Sequence, residues 1–231
     1  MYQRDNLFEI SKVEINRNPF IGLYLSACDN FLIHSPYVPE KIAETAVSIL
    51  KPKKTCVTNI GNSNLSGLFS VLNSNACLVP QFADDIEVKK IESELGVNVC
   101  KVLDSFSAIK NNVVLTDKAC ILNPSMPASQ QEKIRDAVGV EVFSVGVGEV
   151  STVGSLNVAT NKGLLCYNRA TEKEFTWLSK VLKVKAVRGT CNFGTVAISL
   201  GMVANSKGVL IGGLSTGFEV SNIFEALSGD E

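Results

Sequence analysis

Apolar residues alternate on both sides of a short polar turn at five places along the chain. The turns are marked by Asn30, Asn75, Lys118, Lys162 and Lys207, at intervals of about 44 residues, a period typical of repeat architectures. Asn, Asp and Gly in such turns tolerate the positive φ angles that hairpins require. Each segment therefore predicts two β-strands joined by a tight turn.

A helix-start signal recurs in phase with these hairpins. In four repeats an Asp, Ser or Thr stands three residues before a glutamate, which is the pattern of a capping box. The pairs are Asp84–Glu87, Ser129–Glu132, Thr171–Glu174 and Thr216–Glu219. In the first repeat Pro39 is predicted at the first helical position, where its missing N–H costs nothing. Apolar residues four apart then predict a helix with one buried stripe in each repeat.

Short alternating strands follow the three middle helices, so each unit is predicted as strand, turn, strand, helix, strand. The five units cover approximately residues 20–64, 65–110, 111–153, 154–194 and 195–227. A single unit cannot bury its apolar faces alone, whereas stacked units share a continuous core. The predicted fold class is therefore α/β, with five units arranged in a ring.

The composition fits one globular domain: 45% of the residues are hydrophobic and 19% are charged. We find no apolar stretch of about 20 residues and no secretory signal, so a cytoplasmic location is expected. The seven cysteines form an odd set without a CxxC pair, which favours reduced, mostly structural thiols. With one histidine and no phosphate-binding loop, no metal and no cofactor is predicted.

The balance of charge bears on the partner. The chain has 22 basic and 23 acidic residues, for a net charge of −1. A protein held to nucleic acid by phosphate neutralisation would be expected to show a basic excess or stripe. The densest basic runs, residues 51–54 and 180–188, are interpreted as solvated faces, so the expected main partner is a protein surface.

From about Val13 to Leu227 the chain resembles the translation initiation factor 6 family of archaea and eukaryotes. The motifs that carry the resemblance are 142–143, 151–155, 159–163, 188–195 and 203–208, with looser matches at 58–61 and Gly67. The resemblance implies a five-bladed α/β propeller (pentein fold) with pseudo-fivefold symmetry, helices outside and strands lining the centre. It also implies a single propeller domain over 12–231 with a closing strand near 13–16. The chain departs from the archaeal pattern by an extension over 1–11, and it lacks the long C-terminal tail of eukaryotic members, so an archaeal-type member is expected.

The same resemblance implies a function without catalysis. Family members bind the large ribosomal subunit on its intersubunit face and thereby block association with the small subunit. The implied partners are large-subunit ribosomal protein fourteen, a neighbouring protein of the twenty-four-e type and the sarcin–ricin loop of the rRNA. This protein is accordingly expected to be a monomer and to have no membrane partner.

The family's contact surface maps onto the loops that lead into the first strand of each blade. The candidate ribosome-binding residues are Asn64, Asn112, Gly154, Ser155, Leu156, Gly189, Thr190, Cys191 and Asn192. The glycines would let a partner backbone approach closely, or they serve turn geometry. Asn112 is either a contact or an Asx-turn residue. Cys191 is expected to present a small side chain to the partner, the alternative being burial in the core.

A second class of function shares the implied fold. Pentein-type guanidino-modifying enzymes use a cysteine nucleophile, a histidine acid/base and carboxylates that converge on a central cavity. Here the histidine would have to be His34, in the first unit, whereas those enzymes keep theirs in later units. His34 is therefore interpreted as a satisfied surface or core histidine, and Trp177 as a packed helix residue.

Overall fold

The computed structural model describes residues 7–229. Its strands are β1 (Glu9–Val13), β2 (Leu25–Ala27), β3 (Phe31–His34), β4 (Lys54–Val57), β5 (Val71–Leu72), β6 (Ala76–Pro80), β7 (Asn98–Val102), β8 (Val113–Leu115), β9 (Ala119–Leu122), β10 (Glu141–Ser144), β11 (Val158–Ala159), β12 (Gly163–Tyr167), β13 (Lys185–Gly189), β14 (Met202–Asn205) and β15 (Gly208–Gly212). Its helices are α1 (Glu40–Leu50), α2 (Asp85–Leu95), α3 (Ile109–Asn112), α4 (Ala128–Val138), α5 (Val153–Leu156), α6 (Glu172–Leu182), α7 (Ile198–Gly201) and α8 (Gly217–Leu227), with 3-10 turns at Ile21–Leu23 and Asp104–Phe106.

The strands form five three-stranded sheets of one design. Within the described residues the orders are β2-β3-β4, β5-β6-β7, β8-β9-β10, β11-β12-β13 and β14-β15-β1. The first two strands of each sheet pair antiparallel and the third runs parallel to the second. A parallel third strand needs a crossover, which a long helix supplies in the first four sheets, while in the last sheet the third strand is the N-terminal β1. The predicted unit of strand, turn, strand, helix, strand is confirmed.

The five long helices, α1, α2, α4, α6 and α8, lie outside the strands. Each is 11 residues long and buries one apolar stripe, as α2 does with Ile91 and Leu95. Helix α2 packs against β7 of its own sheet and against β4 of the preceding one. Each long helix of this kind therefore fills the wedge between neighbouring sheets.

The first strands of the five sheets surround a central channel. Strand β2 contacts β5 and β14, β8 contacts β5 and β11, and β11 contacts β14, so the circuit closes. The cavity on this axis is lined by residues of all five first strands. Core clusters also bridge neighbouring sheets: Leu25 and Leu32 pack with Val203 and Leu210 of the last sheet. The predicted five-bladed α/β propeller, with strands lining the centre, is confirmed.

The N-terminal strand completes the last sheet, but the strand lies earlier than predicted. Strand β1 runs parallel to β15, with Glu9 opposite Gly208 and Val13 opposite Gly212. The prediction of a strand near 13–16 is wrong, because Asn16 and Arg17 adopt left-handed conformations (φ 51° and 65°) in a tight turn. The expected extension over 1–11 thus overlaps β1, and its residues 1–6 lie outside the described part of the chain.

Three of the four predicted capping boxes are present. Asp84, Thr171 and Thr216 each cap a helix, and Glu87, Glu174 and Glu219 bond back to the N-cap backbone. The prediction of a Ser129–Glu132 box is wrong, because helix α4 begins at Ala128 and its N-cap residue, Pro127, has no side-chain acceptor. Pro39, predicted at the first helical position, is instead the N-cap residue of α1, one position before the first helical residue Glu40.

A belt of hydrogen bonds joins the hairpin turns at one end of the channel. The Ser74 amide donates to Asp117 Oδ1 (2.7 Å), and Asn161 Nδ2 donates to Asp117 Oδ2 (2.7 Å) and Asp29 Oδ2 (2.8 Å). The Ser206 amide donates to Asp29 Oδ1 (2.7 Å). With Asn30 Nδ2 donating to Ser74 Oγ (2.8 Å), the belt includes a turn from every unit. We call this end of the ring the hairpin end.

Candidate binding face

Five helical turns close around the opposite end of the channel. They are the 3-10 turn Ile21–Leu23, residues 65–69, and the short helices α3, α5 and α7, each directly before a first strand. The Leu68 amide donates to Leu23 O (3.1 Å) and the Lys110 amide to Leu68 O (3.0 Å). Helix α5 contacts α3 and α7, and α7 contacts the turn Ile21–Leu23. We call this end, with the tight turns between units described next, the turn face.

The tight turns between units are held by the capping glutamates. Glu87 accepts from the Gly61 amide (2.6 Å) and the Asn62 amide (3.0 Å), while it also closes the capping box of α2. Glu174 accepts in the same way from the Gly148 amide (2.9 Å). Each of these carboxylates therefore joins a helix N-terminus to the turn that enters its unit.

Glu219 makes the richest of these connections. Its carboxylate accepts from the Gly194 amide (2.8 Å), the Phe193 amide (3.2 Å) and Thr190 Oγ1 (2.8 Å). Burial by itself would raise the pKa of Glu219, but hydrogen bonds from Thr216, Gly194 and Thr190 outweigh burial and lower it. The ionised carboxylate consequently holds the turn 190–194 in one conformation.

Only some of the predicted contact residues have accessible side chains. Asn64 is exposed, next to the tight turn 60–63. Ser155 and Thr190 are half-buried, and their hydroxyls donate to Thr152 O and Glu219. These three residues share the turn face, but Asn64 is the one whose side chain projects furthest into solvent.

Asn112 is used inside the protein. It is 7% exposed at the end of α3. Its Nδ2 donates to Ala108 O (2.9 Å), and its Oδ1 accepts from Asn123 Nδ2 (2.8 Å). The side chain thus fastens α3 to the loop after β9.

Both glycines of the predicted set pack closely within the ring, Gly154 against backbone atoms and Gly189 against a side chain. A Cβ on Gly154 would lie 2.3 Å from Lys110 O, and a Cβ on Gly189 would lie 2.7 Å from Leu165 Cδ1. Neither glycine has the positive φ of a turn residue. Leu156 is also buried, so this part of the predicted set supports the face from below.

Cys191 does not present its side chain to solvent. The residue is 0% exposed and packs in the cluster of Ile198 and Met202. A Cβ added at Gly201 would stand only 2.3 Å from Cys191 Sγ, which shows how little room surrounds the sulfur. The expectation of an interface side chain at Cys191 is therefore wrong, because the turn directs this residue inward. Asn192 is also buried, and its Nδ2 donates to Pro19 O (2.9 Å).

Two exposed phenylalanines on the turn face were not among the predicted residues. Phe193 is 82% exposed at the tip of the turn 190–194, and Phe218 is 76% exposed in the first turn of α8. Both line a shallow recess with Thr190, Gly194 and Thr216. Phe218 lies outside the buried stripe of α8. An apolar residue at such a position of a helix indicates an exposed apolar side chain, and the sequence alone contains this signal.

The thiols are poorly suited to nucleophilic catalysis. All seven cysteines are free, and six are buried. Burial raises the pKa of Cys28, Cys56, Cys166 and Cys191 to about 12, and raises that of the other three thiols too. His34 is buried, and its Nδ1 lies 3.0 Å from Ser35 O, which makes it a satisfied core histidine. Trp177 packs edge-to-face on Phe143, as predicted for a packed helix residue.

Residues 7–229 contain neither a metal-binding cluster nor a membrane-spanning helix. Within that range we find no group of three or more His, Cys, Asp or Glu side chains placed to hold a metal ion. No helix in the same range has both the length and the apolar character needed to span a membrane.

Comparison with known proteins gives a consistent family match. The model of the eIF-6 family matches residues 10–226. The chain is similar to Translation initiation factor 6 of Thermococcus onnurineus, with 33% identity over 94% of this chain and 97% of that protein. It is also 34% identical to Translation initiation factor 6 of Methanocaldococcus jannaschii, over 90% of this chain and 93% of that protein. With Translation initiation factor 6 of Thermoplasma acidophilum the identity is 32%, over 95% of this chain and 100% of that protein.

Proposed function

Because the chain belongs to the eIF-6 family, we propose that it is a non-enzymatic translation initiation factor that binds the large ribosomal subunit on its intersubunit face. Bound there, it sterically prevents the small subunit from joining. This role requires the protein to share a compartment with ribosomes, which agrees with the expected cytoplasmic location.

The observation that carries the proposal is the rigid turn face. Its helical turns bond to one another, and its tight turns are fixed by Glu87, Glu174 and Glu219. A surface that is ordered before binding loses little conformational entropy on association, which favours a stable stoichiometric complex. A steric blocker needs this property and needs no reacting group.

We assign the contact to the exposed parts of the turn face. Asn64, Ser155 and Thr190 remain in the proposed contact set, and Phe193 and Phe218 join it. The other six predicted residues stay in the set only because their backbone and packing position those side chains. They are Asn112, Gly154, Leu156, Gly189, Cys191 and Asn192. Aromatic side chains, phenylalanine included, are enriched in protein–protein interfaces relative to the rest of the surface.

The proposed main contact is ribosomal protein fourteen, with the twenty-four-e type protein and the sarcin–ricin loop beside it. The net charge of −1 supports a contact made mainly to protein. Binding through many phosphates would weaken steeply as salt rises, whereas binding to a protein surface should weaken much less.

Gradient sedimentation with purified subunits tests the proposal. We expect the protein to travel with the large subunit and not with the small one, and to reduce subunit joining in proportion to its occupancy. A salt series should show only a shallow decline in large-subunit binding. Unchanged subunit joining at a several-fold excess of the protein would overturn the proposed function.

A matched pair of variants tests the assignment of the face. Asn64 and Asn98 are both exposed asparagines, but Asn64 lies on the turn face and Asn98 starts β7 near the hairpin end. Asn64→Arg should weaken binding to the large subunit, while Asn98→Arg should leave it unchanged. Equal binding by the two variants would remove the turn face from the proposal without affecting the anti-association role.

A further inference from the structure

One repeat position within the helical turns of the turn face shows an asymmetry. These equivalent positions hold Gly22, Gly67, Lys110, Gly154 and Ser199. At the three glycines a Cβ would collide with backbone atoms of a neighbouring unit, at 2.2 Å to 2.4 Å. Two units therefore place a polar side chain where the other three can have none.

Lys110 and Ser199 both reach the cavity on the channel axis. This cavity has a volume of about 70 Å³ and lies between all five first strands. It could hold several water molecules at roughly 10–15 Å³ each, so a small polyatomic ion also fits. Lys110 is 8% exposed and Ser199 is 6% exposed, so both are nearly sealed from bulk solvent.

The polar groups that line the cavity are incompletely satisfied. Lys110 Nζ donates to Leu25 O (3.0 Å), whereas an ammonium group has three hydrogens to donate. The Ser199 hydroxyl is buried and has no hydrogen-bond partner among the described residues. Buried polar groups without partners are rare in native proteins, and each one calls for an explanation.

The charge in the cavity is also unbalanced. Of the described residues that line the cavity, Lys110 is the one with an ionisable side chain, and none carries a carboxylate. An unpaired buried charge is costly, and burial lowers the pKa of Lys110 to about 7, so the ammonium form predominates only below neutral pH unless an anion stabilises it. A bound anion would supply both the missing counter-charge and the missing hydrogen-bond acceptors.

We propose that this cavity is a binding site for one small monovalent anion of formate or bromide size, held by the Lys110 ammonium and the Ser199 hydroxyl. The remaining lining, which includes Val71, Val114 and Met202, is largely apolar, so a small ion fits the space between the two polar groups better than a large hydrated one. This inference does not rest on the proposed function, because it concerns the channel axis and not the exposed face.

Thermal melting in sodium formate tests the site, with ionic strength kept constant by sodium gluconate, whose anion is too large for the cavity. A ligand that binds the folded state raises the melting temperature, and the rise follows the occupancy of its site. We expect such a formate-dependent rise for the wild type. Lys110→Met should weaken the apparent affinity by at least about tenfold, as expected when a charge-assisted hydrogen bond is lost.

Two further variants complete the design. Ser199→Ala should weaken the formate response to a smaller degree, and Lys41→Met, which removes an exposed helix lysine, should respond as the wild type does. A formate response of Lys110→Met equal to that of the wild type would overturn the proposal. So would a wild type whose melting temperature does not depend on formate.

Crystals of the wild type grown in sodium bromide provide a test that needs no variant. The expected result is an anomalous peak on the channel axis beside Lys110 Nζ. Bromide peaks confined to the outer surface, with only water on the axis, would contradict the proposal even if Lys110→Met failed to fold.

Discussion

At the scale of single residues, the structure separates the exposed side chains of the turn face from the buried ones that hold the face in place. Cys191 and Phe193 are two positions apart in one turn, yet Cys191 is fully buried and Phe193 is 82% exposed. The positive φ angles of Asn192 (46°) and Phe193 (60°) turn the chain between them. The composition of the segment could not distinguish these directions, because small residues occur both in tight cores and in open turns.

The burial of Cys191 leads to a prediction about stability. Cys191→Phe should lower the free energy of unfolding by about 1–3 kcal/mol, because the larger ring overpacks the space against Gly201 and Ile198. The matched control is Val196→Phe, which places the same ring at an exposed position nearby and should change stability by no more than about 0.5 kcal/mol. Chemical denaturation measures both, and equal stabilities of the two variants would show that Cys191 has room for an aromatic ring.

At the scale of secondary-structure elements, the capping glutamates do more than start helices. Glu87, Glu174 and Glu219 each complete a capping box and also fix the turn that enters the unit. In the third unit Gln130 takes this position in α4, and its Oε1 accepts from the Leu103 amide (3.2 Å). Ser129 and Glu132 thus lie two residues after the N-cap residue Pro127 and the third helical residue Gln130, which are the positions that a capping box would occupy. Local spacing alone could not reveal this shift.

This difference between the third and fourth units predicts different effects of two similar substitutions. Thr171→Ala removes a hydroxyl that accepts from the Glu174 amide (3.3 Å), and it should cost about 1 kcal/mol of stability. Ser129→Ala should have no measurable effect, because Ser129 is an exposed residue inside α4. Thermal melting of both variants checks the pair, and a larger loss for Ser129→Ala would contradict the observed start of α4.

At the scale of the whole molecule, the ring is closed by contacts between distant parts of the chain. Strand β1 pairs with β15, and Asn161 in the fourth unit donates to Asp29 in the first. Closure leaves every sheet with a neighbour on each face, so the apolar faces of all five sheets are buried, as Leu25 and Leu32 are against Val203 and Leu210. The hairpin end is therefore held by polar bonds and the turn face by packed helical turns.

The belt at the hairpin end predicts that Asn161 stabilises the whole ring. Asn161→Ala removes the donor shared by Asp29 and Asp117 and the acceptor for the Asp117 amide (2.9 Å). Leaving these groups unpaired should reduce the free energy of unfolding by about 1–3 kcal/mol. Asn98→Ala, at an exposed position, serves as the control. A stability of Asn161→Ala equal to that control would show that water replaces the lost bonds at no cost.

The sequence by itself determined the number of units, the order of elements within each unit and three of the four helix caps. These features are local, since hydrophobic period, turn residues and capping pairs act within a few residues of one another. The family resemblance, carried by the motifs of the second half, then indicated the closed propeller.

The tertiary structure alone decided which residues face outward and which atoms meet across the ring. The register of β1 on β15, the inward direction of Cys191 and the approach of Lys110 to Leu25 all depend on contacts between segments far apart in the chain. Such contacts form only when the five units assemble, and small shifts of a turn reverse the direction of a side chain. Local patterns do not encode that geometry, so these features could be read only from the assembled ring.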